Sequence, residues 1–554
     1  MSQTYYCYCF EAKSIQSYLF KTGKLKDAIA ASERLDQLID NQSNSTLAQV
    51  LQAHQLSSDL IEGEANPQIR FTRCKGGAFY AYAHSIKPLH TLRSAWTATL
   101  VLYFPDLKFV DALGHADTLQ QAMFKAKDQL QVDRQQPTLK LPIGSAIVQP
   151  ALQTGLASVE KDHSEFLDLD TCYQRQVYKN RKLKTQGTLQ DKFLPDMCSL
   201  SLMEDLAEHC QEPDTQDMAM IHLDGNGIGA ILQQLNQSAK SLSSEHYAKL
   251  FRKFSEGLAQ ATKQAAKKAT QHIIEKHKIK DELAMRPLIL GGDDVTLLCK
   301  PRFALDWVEC FCASFRTNSK KFLEKLPQKY SVTLETEELT ASGAILLHKY
   351  KHPFIFTHQT LEALTERAKA FSKEKDPNNP RAAIALYQVS NCIEDGFAGL
   401  VTSQANGINL SQLCWLIDEG ESRSLKHLKG LLDCIEDNSS RLRISKWRQL
   451  ASLVAQGLNE EAKAYFKKAM HLTDHDPAQA STSQPHVKSQ PQHARDFADA
   501  ITQIFPREKG YQHLNRDSFY CEQTKQSCLH DVLVLHKLTA PEKNQEQNTQ
   551  GAQA

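Results

Sequence analysis

The sequence predicts an α+β fold: two ferredoxin-like units followed by a helical C-terminal domain. Three observations carry the expectation. Between residues 216 and 392, apolar runs and helical patterns alternate as strand, helices, strand-hairpin-strand, helix, strand, helix, strand. The opening of that order recurs upstream: Glu11 precedes Gly76 by roughly 65 residues, and Asp224 precedes Gly291 by roughly 67. Beyond the second unit, Leu400 to Leu472 carries apolar residues at helical spacing, with Leu410, Leu413, Leu425, Leu428, Leu432, Trp447, Leu450 and Val454 available for a small bundle core.

In chain order, residues 1–158 form the first unit. An apolar strand leads to Glu11, and Lys75-Gly76-Gly77-Ala78-Phe79 reads as a hairpin. Ala78-Phe79 stands where the second copy has Asp293-Asp294, so this half lacks paired acids, and Glu11 reads as a structural or solvated residue. Residues 159–215 read as a linker with helical segments. Its basic cluster, Arg175, Lys179, Arg181, Lys182 and Lys184, is either a solvated face or a contact for RNA or triphosphate. The same choice applies to Lys263, Lys267 and Lys268.

The second unit, 216–392, carries the chemistry. Met218 to Leu223 is a strand ending in Asp224, and Gly225-Asn226-Gly227-Ile228-Gly229 is a glycine-rich turn before a helix. Such a turn lets phosphate oxygens approach backbone N–H groups at a helix start. A second helix follows, capped by Ser243 or Ser244, with Tyr247, Leu250, Phe251, Phe254, Leu258, Ala261 and Ala265 on one face. Leu288 to Leu298 then reads as a hairpin turning at Gly291-Gly292, with Asp293 and Asp294 opening its second strand. Phe303 to Leu326 is a helix stopped by Pro327, Leu339 to Leu347 a strand, Leu361 to Phe371 a helix and Ala382 to Tyr387 a strand. Adjacent carboxylates repel, and a fold keeps them on an apolar strand when they share a cation. If the strands are neighbours, Asp224, Asp293 and Asp294 meet and hold Mg²⁺ or Mn²⁺ for phosphoryl transfer. A plain hairpin with solvated acids is the alternative.

These residues resemble the nucleotidyl-cyclase palm shared by GGDEF-type cyclases and the large subunit of type III CRISPR effectors (the Cas-ten or Cmr-type family). The second is the closer match. It rests on Asp224-Gly-Asn-Gly-Ile-Gly229, Gly291-Gly-Asp-Asp294, Ser342-Gly343 on a strand and Glu366-Arg-Ala-Lys369 on the next helix. Upstream, Glu11-Ala-Lys-Ser-Ile-Gln-Ser-Tyr-Leu-Phe20, Gly23-Lys-Leu25, Ala30-Ala-Ser-Glu33 and Gln153-Thr-Gly-Leu-Ala157 look like that family's first palm. The resemblance implies a degenerate first palm, a catalytic second palm and a CRISPR-associated role in antiviral defence. The implied reaction joins ATP, or another NTP, into cyclic oligonucleotides with release of pyrophosphate. Asp224, Asp293 and Asp294 would be the catalytic and metal-binding acids. Gly225, Asn226, Gly227, Gly229, Gly291 and Gly292 would line the nucleotide, Ser342 would read the base edge and Lys369 would contact the triphosphate. Implied partners are RNA and CRISPR-like subunits, or a second copy of the chain. The alternative is an RNA-guided effector scaffold with weak or no cyclase activity.

Many members of that family open with an HD nuclease domain. This sequence opens on the first palm, and His530-Asp531 lacks a helical set of metal-binding histidines, so the expectation is an HD-less member or a stand-alone homologue. Cys172, Cys198 and Cys210 are too scattered for the family's paired-cysteine zinc module. After the helical domain (393–473), residues 474–495 read as a flexible linker, 496–542 regain an apolar pattern, and 543–554 are expected to be disordered. A net charge of +1 gives no global polyanion signal. The Cys7/Cys9 and Cys310/Cys312 pairs sit in apolar patterns and read as reduced core thiols of a cytoplasmic protein; no apolar run is long enough for a membrane span.

Overall fold

The computed structural model describes residues 4–40, 44–60, 66–135, 148–180, 189–204, 206–210, 216–376, 379–389, 408–417, 423–437, 443–471, 497, 500, 501, 503, 504, 519–521 and 525–540. The first part of the chain gives β1 (Tyr5–Lys13), α1 (Ile15–Leu19), α2 (Leu25–Leu38), α3 (Thr46–Ala53), β2 (Arg70–Lys75), β3 (Ala78–Ala83), α4 (Ile86–Tyr103), β4 (Lys108–Ala116) and α5 (Leu119–Gln135). A connecting region follows: β5 (Ser158–Asp162), β6 (Glu165–Asp168), α6 (Leu169–Asn180), α7 (Leu189–Phe193), β7 (Ser201–Leu202) and α8 (Leu206–His209). Next come β8 (Asp217–Gly225), α9 (Ile228–Ser238), α10 (Ser244–His277), β9 (Glu282–Leu283), β10 (Met285–Gly291), β11 (Asp294–Cys299), α11 (Pro301–Leu323), α12 (Lys325–Tyr330), β12 (Ala341–Lys349), α13 (Phe354–Lys375), β13 (Ala383–Gln388) and β14 (Cys414–Leu416). Helices Leu425–Glu436, Ile444–Ala455, Asn459–His471 and Leu529–Thr539 pack beyond them.

The first sheet has the order β2-β3-β1-β4, antiparallel throughout. The second has the order β10-β11-β8-β12-β13-β14, and its first four strands repeat the first sheet's arrangement. β13 adds parallel to β12, and β14 adds antiparallel to β13. β8 is central and covered on both faces, which is why Met218 to Ile221 is continuously apolar rather than alternating; the buried His222 that follows is hydrogen-bonded to Thr296 Oγ1. Ile221 and Leu223 share one hydrophobic layer with Cys7 and Cys9 of the first sheet; Met218 and Met220 share the other with Tyr8 and Phe10. The two sheets are therefore joined through common cores. α10 begins at an N-cap in which the Ser243 hydroxyl accepts from the His246 N–H.

Several expectations are corrected. Pro327 does not end the helix: α11 stops at Leu323, and Pro327 lies in the first turn of α12, where a missing N–H costs nothing. Residues 400–472 are not helical throughout, because Cys414–Leu416 completes the second sheet, with Trp415 fully buried. Arg175 is neither solvated nor an RNA contact: it is buried and binds Asp27, Asp162 and Glu165, clamping α6 onto α2. Lys267 pairs with Asp196. Arg181, Lys182 and Lys184, the 474–495 linker and the 543–554 tail lie outside the described residues. Asp531 is a buried staple that accepts from Ser411 Oγ, the Gln412 and Leu413 N–H groups and Trp415 Nε1. Among the described residues, no helix is long and apolar enough to cross a membrane.

Candidate active site

The two hairpins set the geometry. In the second sheet Gly291 pairs with Asp294, so the turn residues are Gly292 and Asp293. Gly292 has φ +64°, the left-handed region where glycine is favoured. Asp293 therefore sits in the turn, and Asp294 begins β11. The β11–β8 register brings Val295 opposite Leu223, which places Asp294 beside Asp224 at the end of β8. Ligand oxygens of Asp224, Asp293 and Asp294 lie within 4.8 Å of one another. Among the described residues, no other group of three or more His, Cys, Asp or Glu side chains could share an ion in this way.

The glycines around the acids have separate reasons. A Cβ on Gly225 would come within 2.9 Å of the Asp293 Cβ, so the turn acid seats only over a bare backbone. Gly227 has φ +73° and caps α9. Gly229 lies in the first turn of α9, where N–H groups have no intrahelical acceptor. Gly343 faces the His222 carbonyl so closely that a Cβ would lie 1.9 Å from its oxygen.

Burial and the neighbouring carboxylates make the triad costly when ionised. Asp293 is pushed up to about 7, first by burial and then by Asp224. Asp294 is raised well above the usual carboxylate range by burial, Asp224 and Asp293. Burial also opposes ionisation of Asp224, but the Lys369 ammonium, in contact with its Oδ2, outweighs burial and holds it low. A divalent cation is the chemistry this donor set fits, since it would relieve the repulsion that raises two of its members.

The acids border two recesses. One, about 540 Å³, is lined by Gln16, His222, Asp224, Asp294, Gln359, Glu362, Thr365 and Glu366. The other, about 380 Å³, lies between the two sheets, walled by α1, α2 and the Gly76-Gly77 turn on one side and by β10 and Asp294 on the other. Both contain Glu362 and Gln16.

The structure sorts the residues expected to bind nucleotide. Gly291 and Gly292 line the contact between the two hairpin turns: a Cβ on Gly76 would lie 3.6 Å from the Gly292 nitrogen. Asn226 is buried; its Nδ2 donates to Thr340 Oγ1 and Ser342 Oγ at 2.9 Å each, and its backbone N–H donates to the Thr340 carbonyl. Ser342 is fully buried, accepts from Asn226 and from the Ala383 N–H, and donates to the Arg381 carbonyl. Both side chains are thus engaged in tying the glycine turn to β12 and β13. Lys369 stands on Asp224.

Sequence reasoning missed other residues. Thr262 of α10 donates to the Gly292 carbonyl at 2.6 Å and pins the acidic turn. Gln359, Glu362 and Glu366 line the larger recess, and their spacing of three and four before Lys369 marks one helical face that could have revealed them. Ser32 donates to the Leu288 carbonyl, and β10 carries its register shift between Pro287 and Ile289 at that point.

The first sheet holds an altered copy of this arrangement. Lys75 pairs with Ala78, so Gly77 occupies the place of Asp293 and Ala78 that of Asp294, one residue away from the match that aligning the Gly-Gly pairs gives. Glu11, opposite Ala78, occupies the place of Asp224. It pairs with Arg134 at 2.8 Å and accepts from the Tyr80 hydroxyl at 2.5 Å. Arg134 is the sixteenth residue of α5, and Lys369 is the sixteenth of α13.

Residues 217–378 match the Cas10/Cmr2 second palm domain. This segment belongs to that family. It contains the three acids, the glycine turn, Ser342 and Lys369. Solved structures of similar chains include a Csm1–Csm4 cassette in complex with cA4 and one in complex with AMPPNP, each at 13% identity and TM-score 0.46, covering 97% of this chain and 70% of the other. Csm1 from T. onnurineus matches at 12% identity and TM-score 0.46 over the same shares. No curated protein matches the chain.

Proposed function

We propose that the chain is a metal-dependent nucleotidyltransferase that joins ATP, or another NTP, into cyclic oligonucleotides and releases pyrophosphate. The observation that carries this reading is the convergence of Asp224, Asp293 and Asp294 at the rim of recesses shared by two sheets, in a segment of the Cas10/Cmr2 second palm family. Asp224, Asp293 and Asp294 would hold Mg²⁺ or Mn²⁺. The ion's chemistry there is to lower the pKa of an attacking ribose hydroxyl and to neutralise the triphosphate. The glycine turn, with Ile228 and Gly229 at the start of α9, presents amides to phosphate oxygens. Lys369 leaves Asp224 and follows the triphosphate. The first sheet is a second, degenerate palm that lacks the acids for a metal of its own and closes the cavity in which a second nucleotide is held.

A second reading, an RNA-guided scaffold whose cyclase is silent until gated, is favoured by the Lys369–Asp224 contact, which covers a metal ligand with a protein cation. Incubating the purified chain with each labelled NTP and Mg²⁺ or Mn²⁺, beside an Asp293→Ala/Asp294→Ala variant, tests both. A cyclic product that the variant fails to make supports the cyclase. Metal-dependent ATP binding without product supports the gated scaffold. Absence of binding overturns both.

A further inference from the structure

Three residues line both recesses: Gln16 from the first unit, and Asp294 and Glu362 from the second. They frame the place where the two spaces meet. Asp294 belongs to the acidic triad; Gln16 and Glu362 have no part in it. Gln16 lies on α1, and among the described residues its side chain makes no hydrogen bond. Glu362 lies on α13, and among the described residues no lysine or arginine pairs with it. Its near partner is His358, one turn earlier, with Nδ1 3.6 Å from the Glu362 Oε2. Burial lowers His358 to about 4, so the imidazole is neutral at physiological pH and leaves the carboxylate its charge. The His358 ring stacks on Phe20, 5.0 Å away, so the group beside Glu362 is itself held between the two units.

The two recesses differ in what they accept. The smaller has apolar walls that include Ile15, Leu19, Leu35, Ile39, Leu288 and Leu290. Such walls suit the flat face of a base. The larger is walled by Asp224, Asp294, Glu362 and Glu366 with Gln16 and Gln359, and among the described residues no lysine or arginine lines it. Away from a metal, such carboxylates repel phosphate oxygens. A carboxylate together with a carboxamide suits neutral hydroxyls: the first accepts from O–H, and the second both donates and accepts. Dinucleotide-binding folds use a single carboxylate on ribose in the same way. A nucleotide whose base lies in the smaller recess presents its ribose at the junction.

We propose that Glu362 and Gln16 hold the ribose hydroxyls of a nucleotide seated across the two recesses, and so make the chain select ribonucleotides over deoxyribonucleotides. The proposal rests on the reading above in that this nucleotide is a substrate of the acidic site. Glu362 accepts from a hydroxyl, and Gln16 donates to an oxygen of the same sugar. The hydroxyl is thereby kept on the side of the junction that Asp294 borders, where an attacking oxygen has to stand. Both act as positioning residues.

The test is binding, which needs no turnover. The α,β-methylene forms of ATP, GTP, CTP and UTP, which cannot release pyrophosphate, are titrated by calorimetry into the full chain in excess Mg²⁺. The tightest binder is then compared with its 2′-deoxy and 3′-deoxy forms on wild type, Glu362→Ala, Glu362→Gln and Gln16→Ala, with melting temperature and tripolyphosphate affinity followed for each. Wild type loses about tenfold when the hydroxyl that Glu362 holds is removed from the ligand. Glu362→Ala binds the ribo and deoxy forms alike, Gln16→Ala narrows the difference, and Glu362→Gln, which keeps an accepting oxygen, restores part of it. Tripolyphosphate affinity does not fall in any variant. A ribo-to-deoxy ratio that is the same in Glu362→Ala as in wild type, or a wild type without one, overturns the proposal. Variants that weaken tripolyphosphate as much as nucleotide also overturn it, because they place these side chains at phosphate or metal. Both side chains face an open recess, and Glu362→Gln keeps their shape should Glu362→Ala fail to fold; a wild-type ratio in both Glu362→Gln and Gln16→Ala then overturns the proposal. A Glu362-dependent ratio in a chain that makes no cyclic product leaves this proposal standing and sinks the cyclase. Cyclic product from wild type with an unaltered ratio in the variants does the reverse.

Discussion

Replacing Asp293 by Asn should stabilise the metal-free protein at alkaline pH and abolish its stabilisation by metal. Asp293 is held near 7 in the fold against an ordinary 3.8, first by burial and then by Asp224. For an acid whose value is raised on folding, the folded state keeps its proton longer. The penalty is absent below about pH 4, grows as pH rises from there, and is complete above about pH 7. A shift of about three units would be worth about 4 kcal/mol at its upper limit, at about 1.4 kcal/mol per unit. The proton is shared among three carboxylates and the site opens to solvent, so about half of that, ~2 kcal/mol, is the expected effect.

The assay is thermal melting of wild type and Asp293→Asn in chelator at pH 4, 6 and 8. For a cooperative unit of a few hundred residues, ~2 kcal/mol is about 3 °C. The variant should melt about 3 °C higher at pH 8, less so at pH 6, and with wild type at pH 4. Added Mn²⁺ should reverse the order at pH 8, because wild type gains a bound ion and the variant loses a ligand. A variant that melts with or below wild type at pH 8 in chelator would refute the reasoning, since Asp293 would then be a comfortable, solvated carboxylate.

Lys369→Met removes the protein cation that competes for Asp224, so Mn²⁺ binding to nucleotide-free protein should tighten by about tenfold in an EPR titration while product formation falls. Thr262→Val keeps the shape of the side chain but leaves the Gly292 carbonyl unpaired, a cost of about 1–3 kcal/mol; melting temperature and turnover should drop with NTP affinity retained in a binding titration. Gly225→Ala drives a methyl against Asp293, and the Mn²⁺-induced rise in melting temperature should disappear.

Much of the second unit is legible in the sequence because local rules and tertiary roles agree there. A central strand buried on both faces reads as a near-continuous apolar run, and Met218–Ile221 does. A tight hairpin needs left-handed backbone, and Gly292 supplies it. What escaped reading depends on long-range register. Aligning the Gly-Gly pairs puts Gly76 with Gly291, but the ladder pairs Lys75 with Ala78 and Gly291 with Asp294, a one-residue difference that only strand pairing decides. Cys414–Leu416 is too short for any period to show. Arg175 looks like part of a basic run because its three acids are at least ten residues away in sequence. Ser342 and Asn226 stand in a motif that points to ligand binding, but their buried hydrogen bonds serve the backbone of the turn.

The corrected register sharpens what the repeat means. At equivalent places the second sheet has Asp224, Lys369, Asp293 and Asp294, and the first has Glu11, Arg134, Gly77 and Ala78. The carboxylate–cation pair is present in both halves, whereas the two turn acids are present in one. A carboxylate with its own cation is neutral and can be kept by any fold, so the Glu11–Arg134 pair says nothing about metal. Two further acids are another matter: burial and the neighbouring carboxylates raise both Asp293 and Asp294 despite the cations nearby, so they cost stability unless an ion arrives, and only the second sheet bears that cost. Gly77 shows the other side of the exchange. A side chain there would press on Ile15, with a Cβ 2.8 Å from its Cδ1, so this acid-free turn packs against α1 as a wall. That wall faces the cavity bordered by Asp294. One half thus carries the three clustered acids, and the other supplies a wall of the recess they border.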